Sequence, residues 1–108
     1  MLIVIEDWLE KTQSYWEQCN VQTIEIKRLS PPDYPIYLIV IQHETIHAAG
    51  SIEIRGGNGE DGNLHQMDFQ AITMNEQSFY RYYEFTDSCD ACDFDKWQQE
   101  YISFICGV

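Results

Sequence analysis

The sequence predicts a single α+β domain: an N-terminal helix, a five-stranded antiparallel meander sheet and a C-terminal helix, with both helices on one face. Three observations predict it. The chain has 108 residues, 44% apolar and 14% aromatic, which suffices for one packed core without metal or disulfide staples. Apolar residues recur at helical spacing near the two ends. Between those ends run short alternating or β-branched segments divided by turn residues. No internal repeat or low-complexity linker interrupts the chain, so residues 1–108 read as one domain.

The first helix is predicted over residues 3–19, where Ile5, Trp8, Leu9, Trp16 and Cys19 fall on one stripe. Asn20 suits its end, because asparagine tolerates the left-handed conformation. The segment 21–29 alternates, which places Ile24 and Ile26 inward and Glu25 and Lys27 outward. Pro31, Pro32 and Asp33 make a turn. The β-branched run 36–42 has the signature of a central strand. Residues 50–56 alternate again with Ile52 and Ile54 inward, and 56–63 is too rich in Gly and Asn to be regular. Strands over 67–74 and 78–85 are joined by a turn at Asn75 and Glu76. Phe94, Trp97, Tyr101, Phe104 and Ile105 then mark a closing helix, whose first turn Asp87, Ser88, Asp90 or Asp93 would cap. A meander with both helices on one face buries these stripes together.

Eighteen acidic residues against six basic ones give a net charge of −12. Nucleic acid is excluded as a partner, since affinity for its backbone rests on Lys and Arg displacing counterions. An anionic membrane surface is excluded on the same ground. A basic protein is the natural complement, with solubility alone as the plain alternative. The opening MLIVIEDWLEKTQ has a short apolar start, no basic lead and early carboxylates. It reads as neither a signal peptide nor a membrane span, so a cytoplasmic protein with four reduced thiols is expected.

His43-Glu44-Thr45-Ile46-His47 matches HExxH, and Glu53 stands where a third ligand to zinc would fall. On a helix, His43 and His47 would grip one zinc while Glu44 served as general base to a bound water. The match follows a strand-like run, however. In a strand the two imidazoles would lie roughly 13 Å apart, too far to share a metal. The alternative is a pair of polar histidines near a strand end.

Cys89-Asp90-Ala91-Cys92 is a single CxxC with no second pair, and its neighbouring carboxylates would raise the thiol pKa. Two inert thiols in a first helical turn are the simpler reading. Asp87, Asp90, Asp93 and Asp95 crowd the same stretch, and Glu60 and Asp61 sit in the glycine-rich loop. These six carboxylates read either as caps and solvated surface or as a docking site for Lys and Arg. In 78–85, Phe79, Arg81, Tyr83 and Phe85 share one face while Tyr80, Tyr82 and Glu84 share the other. Tyr80 and Tyr82 are thus further candidates for partner contact. Apart from HExxH, no catalytic motif is present, and no cofactor is expected.

An early helix carrying DWL, a run of alternating strands, a strand ending in YRYYEF and an acid-rich closing helix together resemble the TriTu family. The resemblance covers nearly the whole chain in element order, on short local motifs. It implies an immunity protein from a bacterial polymorphic-toxin locus. The toxin would be a Rhs-type effector of type VI secretion, an ADP-ribosyltransferase acting on elongation factor Tu, and the immunity protein would block its active site. Small size, acidity and the lack of an evident active site agree with that expectation. Three classes therefore stand open: immunity-type inhibitor, HExxH zinc peptidase and acidic protein-binding adaptor.

Overall fold

A computed structural model describes residues 2–29, 36–58 and 62–107. In chain order the elements are α1 (Leu2–Gln18), β1 (Gln22–Leu29), β2 (Tyr37–Glu44), β3 (Ala48–Asn58), β4 (Leu64–Thr73), β5 (Ser78–Phe85) and α2 (Ala91–Cys106). The five strands hydrogen-bond in sequence order, each to the next and all antiparallel. Both helices cover one face of this meander. The expected architecture is therefore the observed one.

α1 forms because Ile5, Trp8, Leu9, Thr12 and Trp16 recur at three- and four-residue spacing and are all buried. It stops at Asn20, which takes φ 62°. The following Val21 amide then reaches back to the Trp16 carbonyl at 2.9 Å. α2 begins at Asp90, whose carboxylate accepts the Cys92 amide, while Asp93 returns to the Asp90 amide as a capping box. It ends on Gly107 at φ 72°, a left-handed position where glycine carries no steric penalty. Phe94, Gln98, Tyr101, Ile102 and Ile105 form its buried stripe.

The core lies between this helical layer and the inward residues Ile39, Ile41, Ile52, Ile54, Met67 and Phe69. Aromatic contacts join the layers. Tyr83 of β5 stacks on Trp97 of α2 at 4.4 Å, and within the helical layer Trp8 meets Phe94 edge-on at 5.5 Å. The helices are also joined by a buried hydrogen bond from Trp16 Nε1 to Gln98 Oε1 at 2.8 Å.

Several boundaries differ from expectation. β3 starts at Ala48 rather than residue 50, because Thr45–His47 alone complete the turn after β2. It also continues to Asn58, so Gly56 and Gly57 belong to a strand rather than a loop, and the β3–β4 register is irregular there. β4 begins at Leu64, three residues before the alternation becomes evident at Met67. The Pro31–Asp33 turn lies outside the described residues.

Ile24 is the main correction. The register of β1 on β2 slips between Thr23 and Glu25, so Ile24 is the extra residue of a bulge. It therefore leaves the inward phase and is 54% exposed, while Ile26 stays half-buried.

Candidate functional site

No described element covers the second face of the sheet. Strand alternation sets out there the side chains excluded from the core: Glu53 and Arg55 from β3, Asp68, Gln70 and Ile72 from β4, and Tyr80, Tyr82 and Glu84 from β5. Asp68 is the centre of a polar cluster. Its carboxylate is buried, yet it accepts from Arg55 Nη2 at 2.5 Å and from the Tyr80 hydroxyl at 2.9 Å. Glu53 adds a second carboxylate 3.5 Å from the same guanidinium. The hydrogen bond to Asp68 raises the pKa of Arg55, and a like bond raises that of Tyr80. The Tyr82 hydroxyl donates to Glu84 at 2.7 Å, which likewise raises its pKa. Tyr80 and Tyr82 are 56% and 41% exposed, so the two rings stand fixed on the open face.

The carboxylates at the start of α2 all have intramolecular roles. Asp90 and Asp93 cap the helix. Asp95 accepts from Trp8 Nε1 at 2.9 Å and from Gln98 Nε2 at 3.3 Å, tying α1 to α2 beside a cleft of about 640 Å³ between the helices. Asp87 accepts from His65 Nε2 at 2.6 Å. Glu60 and Asp61 lie outside the described residues.

His65 is a feature that sequence reasoning did not single out. It is 2% exposed and lies between the rings of Tyr37 and Phe85. The Gly57 amide and the Tyr37 hydroxyl both donate to its Nδ1, at 3.4 and 3.0 Å. Nδ1 is thus the acceptor, and Nε2–H donates to Asp87. This chain fastens β2, β3 and β4 to the segment leading into α2. Only the low exposure expected of a histidine at the β4 start, in phase with Met67 and Phe69, pointed to it.

The HETIH residues diverge. His43 and Glu44 are the last residues of β2, and His47 lies in the turn beyond. His43 points into the core, where its Nδ1 meets the Tyr101 hydroxyl at 3.1 Å and Trp16 packs perpendicular to its ring at 4.5 Å. Burial holds its pKa down at about 4. Glu44 belongs to the opposite, exposed face, and His47 rests against Gly107. Glu53 is engaged with Arg55. The helix that HExxH chemistry needs is absent from this segment. Among the described residues no three His, Cys, Asp or Glu side chains gather closely enough to hold a metal ion.

The CxxC pair is a pair of free thiols at the start of α2. Cys89 has its pKa pushed up to about 12, first by burial and then by its hydrogen bond to Asp93 at 3.3 Å. That shift opposes thiolate chemistry at this position.

Exposed apolar residues also lie on the open face and in the turns at its end, among them Ile24, which was expected inward. Ile24, Ile72, Met74 and Ile46 are 54%, 52%, 82% and 84% exposed. Reading the β4 alternation one step past Ala71 would have put Ile72 and Met74 outward with Asp68 and Gln70. No helix among the described residues is long and apolar enough to cross a membrane. No protein-family model, curated protein or solved structure matches the chain.

Proposed function

We propose that this protein is an immunity-type inhibitor of the TriTu kind, which binds a cognate polymorphic-toxin domain in the cytoplasm and neutralises it by covering its active site. The observation that carries the reading is the uncovered sheet face, which displays ordered tyrosines and exposed apolar side chains in a chain of net charge −12. Exposed apolar side chains rimmed by polar ones are the kind of surface that a protein partner covers. The acidity selects a basic partner and speeds its approach. Such a role requires no catalytic group. It also accounts for a HETIH segment whose side chains serve the core, the surface and a turn separately.

The partner in this reading is an ADP-ribosyltransferase effector delivered as a Rhs toxin, as the sequence resemblance implies. Co-expression with the toxin domain encoded beside this gene tests it, scored by cell survival and by co-purification. Rescue with a stable complex is expected. A complex without rescue would reduce the protein to an acidic adaptor, and neither rescue nor complex would remove the reading for that toxin.

A further inference from the structure

We infer that the partner docks on the apolar end of the open sheet face, a patch built from Ile24, Ile46, Ile72 and Met74, and that it brings there a cationic surface with projecting apolar side chains. The inference rests on the proposed inhibitor reading and names the contact surface that reading leaves open.

Ile24, Ile72 and Met74 border two hollows that share Ile72. The Met74 amide donates to the His47 carbonyl at 3.1 Å, which sets the β4–β5 turn beside the β2–β3 turn that carries the exposed Ile46. Two shallow depressions run inward from these tips. One, of about 390 Å³, is bordered by Ile24, Gln42, Ala49, Ser51, Gln70 and Ile72. The other, of about 280 Å³, shares Ala49 and Ile72 with it and extends to Met74. The hollow exists because the outward residues Ala49 and Ser51 of β3, paired with Ile72 and Gln70, are small. The β1 bulge adds Ile24 at its border. Bulges commonly re-aim a side chain beside a functional surface.

Charge selects the occupant. Glu44 and Glu76 are exposed around the patch. The cations of this face are already paired, Lys27 with Glu25 at 3.8 Å and Arg55 with Asp68 at 2.5 Å. A second copy of the chain would set these carboxylates against their own kind, which is costly at an interface. A basic surface meets them with complementary charge, and its apolar side chains fill the hollow. Charge then governs the approach, and the apolar centre governs how long the complex lasts.

The test measures binding of the full chain to the purified toxin domain encoded by the adjacent gene. The variants are Ile72→Ala with Met74→Ala, and Ile46→Ala alone, which leave the charge unchanged. Ile3→Ala is the control, since Ile3 is 77% exposed on α1. The double variant is expected to weaken affinity by about 30-fold or more, mainly through faster dissociation, while the control stays within about threefold. Thermal melts establish that each variant is folded. Hydrogen exchange of the wild-type complex supplies a second reading, with added protection expected across residues 46–50 and 70–74. Unaltered affinity of the double variant together with unaltered exchange there would overturn the inference and leave the inhibitor reading standing. Failure of the wild-type chain to bind would overturn both. Self-association of the free wild-type chain that the double variant abolishes would also overturn the inference, by making this face a contact between copies.

Discussion

His43 offers one imidazole nitrogen to the Tyr101 hydroxyl at 3.1 Å and buries the other without a partner among the described residues. This pairing connects the end of β2 to the middle of α2 across the core. It is compatible only with a neutral ring, since a charged one would lie buried with no counter-ion against Trp16 and Tyr101.

Stability should therefore depend on pH through His43. Its folded pKa is about 4, whereas the unfolded chain takes up the same proton near 6.5. The contribution is complete above about pH 6.5 and is lost as the pH falls toward 4, by roughly 3 kcal/mol for a full shift of that size. Urea midpoints measured at pH 7, 5.5 and 4.5 should decline over this window. His43→Gln should give a flatter profile, and an identical slope would remove His43 as the cause.

Gly56 faces the Tyr37 ring and the His65 imidazole so closely that a Cβ there would overlap both. Gly56→Ala is expected to cost about 1–3 kcal/mol by overpacking. The loss should appear as a lower urea midpoint with an unchanged slope. A variant as stable as the wild type would mean that this end of the sheet yields freely.

Gln98 is the only hydrogen-bond acceptor for Trp16 Nε1 among the described residues. Gln98→Leu keeps the buried volume near its present value but leaves the indole N–H unsatisfied, at a cost of about 1–3 kcal/mol. Trp16→Phe with Gln98→Leu removes both partners and should recover part of the loss. Additive losses in the double-mutant cycle would contradict a direct coupling.

Cys89 and Cys92 should differ sharply toward iodoacetamide. The raised pKa of Cys89 leaves little thiolate at pH 8, and its side chain is partly buried, whereas Cys92 is exposed. Alkylation followed by peptide mass spectrometry should find Cys89 slower by about tenfold or more. Asp93→Asn should narrow the gap. Equal rates in the native protein would contradict the geometry at the start of α2.

Most of the fold was legible because its stripes are strong. The α1 pattern from Ile5 to Trp16 and the run from Tyr37 to Ile41 leave little choice of element. The glycine-rich stretch misled because a local turn signal yielded to cross-strand pairing, which carries β3 on to Asn58. Ile24 misled because alternation cannot reveal an inserted residue; only the register against β2 does. At the candidate site, Tyr80 and Tyr82 were readable from phase. Asp87 and Asp95 drew notice as charges, yet their partners His65 and Trp8 are distant in sequence and unite only on folding.

The one-sided covering of the sheet has a further consequence. Successive residues of a strand serve opposite masters, so an outward position such as Ser51 or Gln70 can be replaced while Ile52 and Phe69 keep the interior intact. The outward surface can therefore be re-cut residue by residue, and the scaffold beneath it need not change.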